Sequence, residues 1–308
     1  MGTTALDLKS QDKYCEVQGV GLHTGLPCVV QLRPGDRLET EFLVNSSVGH
    51  LRSSARWDAL SGTARCTALV MRGESRGRAE LRTVEHLMSV LMAMGLPGIE
   101  VRLLGFEPRD SYELPALDGS SQLWIEPVLQ VLGAPQRPPM DYLRVARPFE
   151  VQSGASWVRF EPIDSLECQW HCAVDFGAKL QQSKSYTQRW LDLGSSFEVY
   201  CKEIAPARTF GFRSELEDLA RRGLAKGGSL ENALLLDESG LCAGQSYCVE
   251  SELAAHKLLD AMGDLALATR PLVGRLSFYK AGHAMHLMAL KEALHQGVLE
   301  ASRLQDWI

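Results

Sequence analysis

No apolar run in the 308-residue sequence approaches the length of a membrane span, and its opening stretch, MGTTALDLKSQDKY, is polar and charged. The first absence excludes a transmembrane helix and the second a secretory signal, so a soluble, unsecreted protein is expected. Long runs of one charge are missing too. The 32 Lys and Arg against 38 Asp and Glu leave a net charge of −6 spread along the chain, which argues against general nucleic-acid binding. No internal repeat or low-complexity array occurs. The chain has 8 cysteines, but a disulfide framework belongs to small secreted chains, so free thiols are expected.

Hydrophobic residues make up 45% of the chain, enough to build the cores of two domains. The most Pro-rich segment, Gly133 to Met140, predicts a linker between an N-terminal domain, 1–132, and a C-terminal domain, 140–308. Alternation predicts strands at Glu16 to His23, Cys28 to Pro34 and Glu39 to Val44, then a helix from Thr83 to Met94 and a strand from Ile99 to Leu104. The second half repeats the theme, with strands at Leu143 to Gln152, Ser156 to Glu161 and Leu166 to Phe176, and helices at Ser196 to Ile204 and Ser214 to Arg222. A strand at Ala233 to Leu236, a helix from Val249 to Ala268, a strand at Gly274 to Tyr279 and a helix from Ala284 to His295 follow. Each half is a run of strands with helices packed on them, an α+β arrangement.

Within the helix from Val249 to Ala268, His256, Asp260 and Asp264 stand at successive four-residue spacings. Four residues turn about 40° and rise about 6 Å, so the three share one face, and the groups at 256 and 260 can converge on one ion. Zinc suits such mixed ligands. The same spacing also serves surface pairs that stabilise helices. Here, however, Leu258, Leu259, Ala261, Met262 and Leu265 make the segment apolar nearly all round. That predicts a buried helix, in which His and Asp need partners or a metal.

Two ligands are too few. Among the histidines His86 stands out, because Thr83-Val84-Glu85-His86-Leu87 opens a second helical run and sets a carboxylate beside it. Adjacent Glu85 and His86 point about 100° apart, so Glu85 can reach a water at the metal without ligating it. His86, His256 and Asp260 would leave one open position, as hydrolytic zinc sites do. The stretch Cys168-Gln169-Trp170-His171-Cys172 reads differently. Its alternation puts both cysteines on the apolar face of a strand and His171 on the other, so core cysteines are expected.

Other local signals complete an ordered set: Gly19-Val20-Gly21-Leu22-His23-Thr24-Gly25, Leu117-Asp118-Gly119-Ser120, Ala207-Arg208-Thr209-Phe210-Gly211-Phe212, Gly227-Gly228-Ser229 and Lys280-Ala281-Gly282-His283. With Thr83 to Leu87 and His256 to Asp264, this set resembles the UDP-3-O-acyl-N-acetylglucosamine deacetylases, zinc amidases of lipid A biosynthesis in Gram-negative bacteria. The resemblance spans about residues 15 to 295. It implies two α+β domains face to face with the active site between them, and a cytoplasmic hydrolase that releases acetate from its UDP-linked acylated amino sugar; the oligomeric state is not legible in the sequence, and a monomer is the default.

Carried onto matching positions, the resemblance makes His86, His256 and Asp260 the Zn2+ ligands and Glu85 the general base. Thr209 would hold the oxyanion, and His283, charge-paired with Asp264, would be the protonated acid. Phe210, Lys257 and Lys280 would contact sugar and diphosphate. Leu22, Phe176, Phe212, Leu216, Gly228 and Ser229 would line the passage for the 3-O-acyl chain.

Two stretches depart from the family pattern. Ser246 to Ala255 lacks two expected arginines, and Gly177-Ala178-Lys179 replaces an Asn-His-Pro type sequence. They keep two alternatives in view, a divergent paralogue acting on another N-acyl sugar and a non-catalytic, zinc-stabilised nucleotide-sugar binder. A structural zinc needs none of Glu85, Thr209, Asp264 and His283, so their retention favours an enzyme. His23 reads equally as a ligand contact or as a structural turn residue, while His50, His286 and His295 have no partner identifiable from sequence.

Overall fold

A computed structural model describes residues 13–35, 39–46, 49–73, 77–106, 110–177 and 180–308. In the first half, β1 (Cys15–Val20), β2 (Pro27–Pro34), β3 (Glu41–Ser46), β4 (Gly49–Ser54), β5 (Leu60–Gly62), β6 (Ala68–Gly73), β7 (Arg78–Arg82), β8 (Ile99–Phe106) and β9 (Ser111–Glu113) form one mixed sheet. Its order is β1-β2-β8-β3-β4-β6-β7-β9, with β5 on β6. Alternation selects the inner face. Phe42, Val44, Val101 and Leu103 are fully buried and share a core with α1 (Glu85–Ala93) and α2 (Gln122–Leu132). Every residue of α1 is buried.

Helix α2 and strands β4 to β7 and β9 escape the sequence reading. In α2 the cause is Pro127, which reads as a helix breaker although the helix runs through it. The Pro-rich segment Gly133 to Met140 joins α2 to the first strand of the second half.

There, β10 (Asp141–Val145), β11 (Phe149–Ser153), β12 (Ser156–Glu161), β13 (Glu167–Asp175) and β14 (Gln181–Arg189) are followed by α3 (Leu193–Glu203), β15 (Phe210–Phe212) and α4 (Leu216–Arg221). Then come β16 (Leu234–Asp237), β17 (Gly240–Leu241), α5 (Glu252–Leu265), β18 (Leu272–Tyr279), α6 (His283–His295) and β19 (Leu299–Arg303). Strand β18 is the centre of the second sheet. It pairs in parallel with β13 and β10 and antiparallel with β12, while β11, β14 and β19 extend the edges. Strands β15, β16 and β17 make a separate small sheet.

The single strand expected from Leu143 to Gln152 is two, β10 and β11, parted at Ala146-Arg147-Pro148, where proline removes a ladder donor. The helix expected from Ser214 begins as a 3-10 turn, Arg213–Glu215. Strand β14 was not anticipated because its sequence, QQSKSYTQR, is polar, yet it pairs with β13 along its full length. In β13, Cys168 and Cys172 are buried, and His171 lies on the other face bonded to Ser185 Oγ at 2.9 Å. All the cysteines are free.

The result is an α+β fold, with two mixed sheets each covered by helices. Among the described residues, no helix is long and apolar enough to cross a membrane.

Candidate active site

Helices α1 and α5 come from different halves and meet backbone to backbone at Gly263. A Cβ there would clash with the Glu85 carbonyl oxygen and lie 2.7 Å from its carbonyl carbon, so the approach needs glycine. In α5 every residue except Lys257 is buried. The helix pair brings the ring of His86 to 5.2 Å from that of His256, centroid to centroid. Asp260 Oδ1 lies 4.0 Å from His86 Nε2 and 3.5 Å from His256 Nε2.

Each imidazole is oriented from behind. His86 Nδ1 faces the Ser120 carbonyl at 3.3 Å, and His256 Nδ1 faces the Ala207 carbonyl at 3.0 Å. An imidazole that donates Nδ1–H to a carbonyl presents its Nε2 lone pair outward, which is how metal-binding histidines are commonly held. The Ser120 carbonyl is placed by the Leu117 to Ser120 turn, where Leu117 (φ 53) and Gly119 (φ 79) are left-handed and Asp118 Oδ1 accepts from the Ser120 amide and hydroxyl.

One ligand atom from each of His86, His256 and Asp260 lies within 4.8 Å of the others. A tetrahedral ion with bonds of about 2.0–2.1 Å needs ligand atoms roughly 3.3 Å apart, so these side chains fit a divalent metal after shifts of a few tenths of an ångström.

One turn further along α5, Asp264 Oδ2 accepts from His283 Nδ1 at 2.9 Å and from His286 Nδ1 at 2.8 Å. Its other oxygen, Oδ1, accepts from the Thr67 hydroxyl. His283 Nε2 points toward the cluster of His86, His256 and Asp260, 3.9 Å from both Glu85 Oε1 and Asp260 Oδ2. Glu85 Oε2 accepts from the Thr67 amide at 3.1 Å.

Burial and charge set the protonation states. Burial pushes Glu85 up to about 8, with Asp264 and Asp260 adding to the rise against the opposing effect of His283. Burial lowers His256 to about 4 despite Asp260, and lowers His86 as well, so both stay neutral as ligation requires. His283 goes the other way. Burial works against its charge, but Asp264, then Asp260 and Glu85, outweigh it and raise the imidazole to about 9. Asp260 is held well below the usual carboxylate range, since Lys257 and the surrounding histidines overcome its burial. Asp264 falls to about 2, its burial outweighed by His283 and His286.

Around these groups lies a cavity of about 350 Å³ that Leu22, Thr209, Phe210, Lys257 and Lys280 also line. Lys257 Nζ sits 2.7 Å from Asp260 Oδ2 and 5.4 Å above the Phe210 ring. Lys280 Nζ lies 3.6 Å from Asp175. A second, mainly apolar cavity of about 340 Å³ shares Leu22, Thr209 and Phe210 and adds Leu216, Gly228 and Ser229. Phe176 and Phe212 line neither. They pack with Phe210 into a cluster with ring centroids 5.2 to 6.4 Å apart.

Three contributors went unnoticed in sequence. Thr67 contacts both Glu85 and Asp264, as described above. Glu113, 3% exposed, accepts from the His23 and Thr24 amides and from the hydroxyl of Thr83, which is left-handed (φ 59) just before α1. Glu113 thereby ties the Gly19 to Gly25 turn to the segment that aims Glu85. His286, which had no partner by sequence, shares Asp264. His295 packs edge-on against Trp57.

Of the two departing stretches, Ser246 to Ala255 is anchored by Glu252. That buried carboxylate accepts from Arg208 Nε at 2.8 Å and from the Cys248 amide at 2.7 Å, while Arg208 Nη2 donates to the Ser246 carbonyl at 2.7 Å. Ala178 and Lys179 lie outside the described residues.

Residues 9–295 match the family model described as LpxC: UDP-3-O-acyl N-acetylglycosamine deacetylase. Proteins named UDP-3-O-acyl-N-acetylglucosamine deacetylase are similar over nearly the whole chain. The one from Anaeromyxobacter dehalogenans is 37% identical over 286 residues, 92% of this chain and 85% of its own. That of Syntrophus aciditrophicus is 33% identical, covering 91% and 83%, and that of Brucella melitensis biotype 2 is 34% identical, covering 93% and 94%.

Proposed function

The chain belongs to the UDP-3-O-acyl-N-acetylglucosamine deacetylase family, and we propose that it hydrolyses the N-acetyl amide of UDP-3-O-acyl-N-acetylglucosamine, releasing acetate in lipid A biosynthesis. The observation that carries this reading is the convergence of two outward-facing imidazole Nε2 atoms and the Asp260 carboxylate between Glu85 and His283, beside an apolar cavity.

His86, His256 and Asp260 are read as the ligands of a zinc ion. When bound, zinc supplies Lewis acidity toward the amide carbonyl and acidifies water. With the charge of a bound dication nearby to favour its carboxylate form, Glu85 Oε1 would take the proton of the attacking water as the C–O bond forms. The Thr209 hydroxyl donates to the oxyanion that develops on the carbonyl. Protonated His283 stabilises the same charge and gives its Nε2 proton to the departing nitrogen, so that the C–N bond breaks to acetate and a free amine. Asp264 holds His283 in the charged form this role needs.

Lys257 and Lys280 suit the diphosphate, and Phe210 suits the sugar. The apolar cavity suits the acyl chain, with Leu22, Leu216, Gly228 and Ser229 at its wall and the Phe176, Phe212 pair behind Phe210. We read the enzyme as a monomer. A nucleotide-sugar substrate supports a cytoplasmic reading.

The test is acetate release by the purified protein from the UDP-linked acylated substrate, with and without a chelator, beside Glu85→Ala. Chelator-sensitive release that Glu85→Ala abolishes is expected. No metal-dependent release at any acyl length would sink the reading.

A further inference from the structure

We propose that Thr67 is a positioning residue for this deacetylation, one residue that sets both the carboxylate of the base and the carboxylate behind the acid. The inference rests on the roles given above to Glu85 and His283.

Thr67 is fully buried immediately before β6, and its carbonyl accepts the Val84 N–H at 3.4 Å where the chain enters α1. Its own N–H donates to Glu85 Oε2 at 3.1 Å, which leaves Oε1 as the oxygen facing His283 Nε2. The hydroxyl donates to Asp264 Oδ1. Both histidines that bond Asp264 do so at Oδ2, so among the described residues Thr67 is the one donor to Oδ1. The hydroxyl oxygen is also 3.4 Å from His283 Nδ1, too long to compete with the 2.9 Å bond that the ring makes to Asp264.

Two physical demands meet at this residue. A wholly buried carboxylate oxygen without a donor carries its desolvation cost uncompensated. Held from both ends, the Asp264 carboxylate keeps its plane, and with it the ring plane of His283. Glu85 and Asp264 also repel each other, and a donor from one rigid backbone position to each fixes their separation. Because Thr67 lies in the first half and Asp264 in the second, the hydroxyl ties the acid to the helix that bears the base. Serine can supply the same two donors, whereas valine keeps the shape and the amide but loses the hydroxyl.

The experiment compares Thr67→Val and Thr67→Ser as zinc-loaded full-length proteins with the UDP-linked acylated substrate, reading kcat, KM and bound zinc. Thr67→Val is expected to keep its zinc and its KM while kcat falls on the order of tenfold or more, as for loss of a hydrogen bond to a buried charge. Thr67→Ser is expected to restore kcat to within about threefold of wild type. In an Asp264→Asn background, Thr67→Val should cost little more, because the hydroxyl acts through Asp264.

In the metal-free protein, the proton resonance of His283 Nδ1–H should move in Thr67→Val and stay in Thr67→Ser, a readout independent of turnover. A fully active Thr67→Val, additive losses in the double variant, or an unmoved resonance would each overturn the proposal. Should Thr67→Val fail to fold, Thr67→Ala carries the same comparison. A wild-type protein that releases no acetate defeats the functional reading instead, and the resonance still decides what Thr67 does.

Discussion

His86, His256 and Asp260 form one cluster of two imidazoles and a carboxylate, and His283, His286 and Asp264, one turn further along α5, form another. Composition does not tell them apart, and neither does burial. What separates them is the group that captures each Nδ1. In the first cluster backbone carbonyls do so, at 3.3 and 3.0 Å, and both Nε2 lone pairs stay free to meet Asp260 around an ion. In the second, Asp264 itself captures both Nδ1–H groups, so its own lone pairs go to hydrogen bonds and His283 becomes a charge carrier, while burial, with the neighbouring His283, holds His286 below its ordinary value despite Asp264. The pKa values differ accordingly, with His256 on α5 driven down to about 4 and His283 on α6 raised to about 9. Under the proposed roles, backbone carbonyls behind the rings suit metal ligation, and a carboxylate behind His283 suits proton transfer.

The sharpest way to break this comparison is to remove one carboxylate from each cluster. Asp260→Ala should lose zinc and turnover together, with activity down by roughly a thousandfold or more, the scale of losing a Lewis acid. Asp264→Asn should keep its zinc and still lose about a hundredfold or more in kcat, as expected when general acid catalysis fails. Metal analysis beside acetate release checks both. Equal zinc loss in the two variants would erase the distinction.

A smaller effect is expected at Gly263, which lies between the two aspartates. A methyl group there meets the Glu85 backbone, which cannot swing aside as a side chain can, so α1 and α5 must separate. Gly263→Ala should destabilise the fold by about 3 kcal/mol and speed zinc loss to a chelator, because the first cluster spans both helices. The Asp264 to His286 bond, confined to α5 and α6, should survive. Unchanged zinc release in a folded Gly263→Ala protein would show that the contact does not set the ligand geometry.

Sequence reached these clusters unevenly, for physical reasons. The spacing of His256, Asp260 and Asp264 in an apolar run and the Glu85-His86 pair are local, so periodicity exposes them. His283 entered only through the resemblance to a family. His286 stands three residues after His283 on the same helix, a spacing that puts both on one face, and that signal was passed over. Thr67 had none to offer, because its partner Asp264 is 197 residues away and a lone threonine before a strand is unremarkable in sequence. Glu113 bonds His23 across 90 residues and is equally silent. The fold behaves the same way, since strands with an apolar face were legible and the polar β14 was not.

The smallest expected effect concerns the stability of the metal-free protein against pH, where the two clusters should act with opposite sign. Folding lowers His256 from an ordinary 6.5 to about 4, so its contribution is full above about pH 6.5 and is lost as pH falls through 4. Folding raises His283 from 6.5 to about 9, so its contribution is full below about pH 6.5 and is lost as pH rises through 9. Glu85, raised from 4.5 to about 8, adds to the alkaline decline at lower pH. Each group bends the curve by at most about 1.4 kcal/mol per pH unit within its own window. The rise from His256 and the fall from Glu85 offset each other between about pH 4.5 and 6.5, so urea midpoints of the chelated protein should be highest there and decline above about pH 6.5. His283→Gln should make the curve less steep between about pH 6.5 and 9, leaving the part of the decline that Glu85 causes and the acid side intact. If the decline in that window is as steep in His283→Gln as in the unmutated protein, the second cluster does not hold its imidazole charged, and what distinguishes it from the first has to be sought elsewhere than in Asp264.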